Sequence, residues 1–132
     1  MPMSSDRFSL SARRVIVRLS KEIVCEAYSV PHADIQARDR SGSHLALARQ
    51  VAMYLAHIIG QLTLNEIAQE FDRDRSTVSH ACINIEDRRD SPIFDLQLEY
   101  LEEMMRKRIS QAEAKKLFSI EPSWERKAVF GD

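Results

Sequence analysis

An all-α protein is what this sequence predicts: a helix bundle built around a helix-turn-helix, with an extended C-terminal helix and a tail. Three observations carry that expectation. Three glycines and four prolines punctuate 132 residues, too few for the turns of a β-sandwich or barrel. Apolar residues recur every three or four positions along most of the chain, the period of an amphipathic helix. Two such stretches, 64–71 and 74–88, are separated by Asp72 and Arg73 alone, a connection short enough to hold two helices at an angle.

The elements follow in order. Residues 1–9 read as a disordered lead. From Ser11, Val15, Leu19, Ile23 and Ala27 step along one face, with Ile16, Val24 and Tyr28 beside them. Ser29-Val30-Pro31 ends this helix, because the residue before proline avoids the helical region. Asp34 is expected to cap a short turn around Ile35, and Arg38 to Gly42 to form a loop. A second long helix begins after Ser43 and carries Leu47, Val51, Tyr54, Leu55 and Ile58. Gly60 is expected in the left-handed position behind it. Thr63-Leu64-Asn65-Glu66 has the pattern of a capping box, opening a short helix with Leu64, Ile67, Ala68 and Phe71 on one side. Asp74 is placed to cap the next, whose inner face is Val78, Ala81, Cys82 and Ile85. Ser91-Pro92 stops it. The final helix carries Phe94, Leu98, Leu101, Met105 and Ile109, a stripe expected to pack on the first helix, with self-association as the other use of it. The expected division is a lead of residues 1–9, a domain of residues 10–110 and an extension of residues 111–132.

Composition narrows function. The net charge is −1 and charged residues are 30%, so any nucleic-acid contact rests on local placement of arginines rather than on bulk charge. No apolar run is long enough for a membrane span, the N-terminus lacks the apolar core of a signal peptide, and a cytoplasmic, nucleoid-associated location is expected. Cys25 and Cys82 stand apart without metal-ligand spacing and read as small buried hydrophobes. With glycine only at 42, 60 and 131, no Gly-rich phosphate cradle forms. The reading is therefore no enzyme, no nucleotide, no metal and no cofactor.

The helix-turn-helix pattern also fits an αα-hairpin with no DNA role, and its residues favour the DNA-binding reading. Arg49-Gln50-Val51-Ala52-Met53-Tyr54-Leu55-Ala56, then Leu64-x-Glu66-Ile67-Ala68-x-x-Phe71, then Arg73-Asp74-x-Ser76-Thr77-Val78-x-His80-Ala81 with Ile85 resemble the C-terminal DNA-binding domain of the bacterial replication initiator DnaA. The blocks occur in order, and the resemblance spans roughly residues 15–110. It covers the DNA-reading part without the initiator's ATPase module.

The resemblance implies a sequence-specific double-stranded DNA-binding protein, acting in transcription or replication control. Base reading falls to Asp74, Arg75, Ser76 and Thr77. Phosphate or minor-groove contact falls to Arg38, Arg40, Arg49, Gln50, Thr63, Leu64, Asn65, Arg73 and His80. Asp74 doubles as an N-cap, and Ser76 and Thr77 suit a helix start in any case. Two departures stand out. Arg75 replaces the family's histidine and has the fork geometry that grips guanine. One residue, Asp72, lies between Phe71 and Arg73, where the family has two glycines. The alternative function is a protein-interaction adaptor that keeps the fold without binding DNA, and Trp124 and Phe130 in the tail are candidate contacts for a protein partner.

Overall fold

The computed structural model describes residues 9–37 and 42–118. Six helices follow one another: α1 (Leu10–Tyr28), α2 (His32–Gln36), α3 (Ser43–Ile58), α4 (Leu64–Phe71), α5 (Arg75–Arg88) and α6 (Pro92–Phe118). Among the described residues there is no strand, and no helix is long and apolar enough to cross a membrane.

Helix α3 is the centre. Every residue from Val51 to Ala56 is buried, because α1 and α5 pack along it and α6 and α4 touch it. The core closes with Ile23 and Val24 of α1, Ile35 of α2, Phe71 of α4, Ile85 of α5, and Leu98 and Met105 of α6. The stripe expected on the last helix is thus core, packed on α1. The same helix leaves Ile93, Leu96 and Tyr100 two-thirds exposed or more.

Helix ends depart from expectation in instructive ways. α1 starts one residue before Ser11, because the Ser9 hydroxyl accepts the Ala12 N–H at 3.2 Å. It ends as Ser29 turns left-handed at φ 56°. α2 begins after Pro31, so Asp34 lies within its first turn and caps nothing. Gly60 is not left-handed; that conformation falls on Gln61, at φ 63°. Glycine stands at 60 for room, since a Cβ there would lie 2.5 Å from Ile16 Cγ2 and 2.6 Å from the Ala56 carbonyl oxygen. The capping box forms as expected: Thr63 Oγ1 accepts from the Glu66 N–H at 3.1 Å, and Glu66 Oε1 from the Thr63 N–H at 2.8 Å. Asp74 sits at the N-cap of α5, but its carboxylate makes no cap hydrogen bond. Cys25 and Cys82 are half-buried rather than buried. Burial raises both thiols, Cys82 to about 11, which keeps them protonated and unreactive near neutral pH.

One polar cluster fixes the far end of α5 to the bundle. Arg89 donates to Glu102 at 2.8 Å, to Asp95 at 2.5 Å and to the Tyr54 hydroxyl at 3.1 Å. The Tyr54 hydroxyl donates in turn to Glu86 at 2.7 Å. Burial and the Glu86 carboxylate push Tyr54 up to about 12. The folded state therefore holds this phenol neutral above its ordinary value of about 10. The stability so gained is present below pH 10 and is lost as pH rises towards 12. Spectrophotometric titration of the tyrosines is expected to show Tyr54 ionising at about 12 in the wild type, with a Tyr54→Phe variant lacking that step.

Candidate nucleic-acid interface

The α4–turn–α5 unit is the expected helix-turn-helix, and α4 packs directly on α5. Its turn is set by Asp72, left-handed at φ 55°. Aspartate tolerates that region better than most side chains, so this chain makes the turn without the family's glycines. The Arg73 N–H then reaches back to the Ala68 carbonyl at 2.9 Å and closes α4.

Behind the turn, α5 presents two faces. Val78, Ala81 and Ile85 are fully buried against the core. Asp74, Arg75, Ser76 and Thr77 are all exposed at its N-terminal tip, as is His80 one turn on. The tip is a continuous polar surface at the positive end of a helix dipole, held from behind by apolar anchors. All four base-reading candidates lie together there.

The phosphate candidates divide. Leu64 and Asn65 open α4, where backbone N–H groups lack intrahelical acceptors and suit an anion. The Thr63 N–H is committed to Glu66. Glu66 is itself fully buried, and its second oxygen, Oε2, has no hydrogen-bond partner.

Arg49 and Arg73 hold backbone. Arg49 donates to the carbonyls of Ile35 at 2.9 Å, Asp34 at 3.0 Å and Ala37 at 3.4 Å. Arg73 donates to Phe71 at 2.9 Å, Asp72 at 3.3 Å and Ala37 at 2.8 Å. The two guanidinium groups thus converge on the Ala37 carbonyl. Burial, then the nearby Arg73 charge, lowers the Arg49 pKa. Their effect is to pin the end of α2 beside the turn, at the residue from which the 38–41 segment departs. Arg38 and Arg40 lie outside the described residues. Gln50 is also tied down, its Oε1 accepting from Asn84 Nδ2 at 2.5 Å, which braces α3 against α5.

Sequence reasoning missed a second set of braces. Arg13 of α1 donates to Glu70 at 3.1 Å and to Gln69 at 2.8 Å, both on α4. Lys21 is buried, hydrogen-bonded to Gln36 and set over the Phe71 ring at 4.6 Å from its centroid. Burial lowers its pKa. The signal available was Lys21 itself, a charged residue on the apolar face of α1. Among the described residues no group of three His, Cys, Asp or Glu could hold a metal ion.

Residues 18–85, just over half of the chain, match the family model described as the bacterial dnaA protein helix-turn-helix. The chain belongs to the bacterial DnaA helix-turn-helix family. Chromosomal replication initiator protein DnaA of Caldanaerobacter subterraneus subsp. tengcongensis is 40% identical over 76 residues, 58% of this chain and 17% of that protein. That of Symbiobacterium thermophilum is 36% identical over 91 residues, 67% of this chain and 20% of that protein. The chain thus spans a fifth or less of the initiators it resembles. Solved DnaA-family structures agree. A DNA replication initiation factor superposes with TM-score 0.69 at 30% identity, covering 75% of this chain and 30% of that one. A replication initiator DnaA bound to AMPPCP and single-stranded DNA gives 0.67 at 29%, with the same coverage. The shared part is the DnaA helix-turn-helix domain and lies outside the initiator's ATPase module.

Proposed function

We propose that this chain binds double-stranded DNA with sequence preference, as a replication-control factor or transcriptional regulator, through the N-terminal tip of α5 in the major groove. The observation that carries the reading is the run Asp74–Thr77, four exposed polar residues on a helix end whose reverse side is locked into the core. In a helix-turn-helix that end meets base edges. Arg75 reads guanine, Ser76 and Thr77 serve bases or phosphates, and Asp74 accepts from a cytosine amino group. The amides of Leu64 and Asn65, with His80, hold phosphates and set the register. Arg49 and Arg73 support the interface by fixing the chain at Ala37, and Arg38 and Arg40 are read as phosphate or minor-groove contacts.

Fluorescence anisotropy with a labelled duplex at two salt concentrations tests this. With about four phosphate contacts, affinity falls roughly 100-fold between 50 and 200 mM salt. Ser76→Glu puts a carboxylate at the exposed tip and is expected to abolish binding while leaving the helical circular dichroism intact. No binding by the wild type at low salt would favour the adaptor reading instead.

A further inference from the structure

A groove runs along the outside of the bundle between the first half of α1 and the last turns of α6. Its floor is apolar: Ala12, Val15, Ile16 and Leu19 on one side, Ile109 and Ala112 on the other. Its volume is about 600 Å³. Arg18, Lys115 and Lys116 stand on its rim with Glu113, so the rim is net basic. The last core residue of α6 is Met105, yet the helix runs on to Phe118. Among the described residues, Ile109 and Ala112 of these final turns face Val15, Ile16 and Leu19 of α1 across the groove, and Leu117 is 71% exposed.

We propose that this groove is the seat of the chain's own C-terminal segment, residues 119–132, with Trp124 as its anchor. Three features of the chain point to that occupant. The segment leaves α6 at Phe118, directly beyond Lys115 and Lys116 on the rim. Its reach is sufficient: Trp124 is six residue steps beyond Phe118, about 20 Å of extended chain, whereas Phe118 back to Ile109 along the helix is about 14 Å. Its chemistry is complementary, since Ile120, Trp124, Val129 and Phe130 supply apolar bulk, and Glu121 and Glu125 supply charge opposite to Arg18, Lys115 and Lys116. A docked indole gains most from such a groove, because tryptophan buries more apolar area than any other side chain here. The inference is independent of DNA binding.

Trp124 is the only tryptophan, so its fluorescence reads the proposal in the intact chain. The native emission is expected to be blue-shifted from that of the urea-unfolded chain and protected from iodide. Ala112→Glu, which places a carboxylate on the groove floor, is expected to move it to the unfolded position. Ala114→Glu, on the exposed side of the same helix, leaves it unchanged. Arg18→Glu, at an exposed position whose guanidinium pairs with Glu22 at 3.3 Å, is expected to produce the same red shift through the rim; Glu22→Gln, which removes that pair alone, is expected to leave the emission unchanged. A native emission equal to the unfolded one overturns the proposal, as does a blue shift that survives both groove substitutions in folded protein. A blue shift that disappears on dilution places the segment in a second copy and overturns it equally.

Discussion

Arg89→Ala is expected to cost about 3 kcal/mol and to lower Tm by about 10 °C. The size follows from what is left behind. Glu102 is 6% exposed and has Arg89 as its hydrogen-bonded counter-ion. Removing the guanidinium strands a buried carboxylate, which costs more than the pair ever contributed. Asp95 is more exposed, and its bond to Arg89 adds little. The pair itself is not a large source of stability, so Arg89→Met with Glu102→Leu is expected to recover most of the loss. Urea unfolding of wild type, single and double variants measures all three. A double variant as unstable as the single would show that the ion pair, rather than the buried charge, is what matters. Because the cluster ties the end of α5 to α3 and α6, the single variant is also expected to weaken DNA binding at temperatures where it remains folded.

The second large effect is on sequence preference. Arg75 is exposed, and nothing in the core depends on it, so Arg75→Ala is expected to leave Tm unchanged. At the DNA, loss of a bidentate guanine contact removes about 1–3 kcal/mol of discrimination, a factor of roughly 5–150. Selection of bound duplexes from a random pool is expected to return a motif with one invariant guanine for the wild type and a relaxed position for Arg75→Ala. Arg75→Gln is expected to move that position towards adenine, whose N6 and N7 suit an amide. An unchanged motif in both variants would remove Arg75 from the reading surface.

Local signals in the sequence were reliable guides to the fold. Thr63 and Glu66 announced the start of α4 because a capping box needs two side chains three residues apart and nothing else. The spacing of Val78, Ala81 and Ile85 fixed which side of α5 is buried, and hence that Arg75–Thr77 face outward. What was not legible depends on distant parts of the chain. Gly60 looked like a helix-terminating residue, but the room it leaves for Ile16 of α1 and for the Ala56 carbonyl is what demands it. Asp74 had the identity of a cap and the place of one, yet its carboxylate makes no cap bond. Arg49 and Arg73 lie where the resemblance puts phosphate contacts. Their bonds to the Ala37 carbonyl arise because the fold brings α2, α3 and the turn to one point, which no spacing rule encodes. The partners of buried Lys21 and Glu102 were not legible for the same reason: they lie 15 and 13 residues away.

The central claim is that the tip of α5 meets DNA while the rest of that helix stays in the bundle. Amide NMR during titration with a short duplex at low salt tests it residue by residue. The signals of Arg75, Ser76 and Thr77 are expected to move furthest, followed by Leu64 and Asn65, while those of Leu96 and Tyr100 on α6 stay fixed. Shifts confined to α6, with the Arg75–Thr77 signals unmoved at saturating duplex, would contradict it.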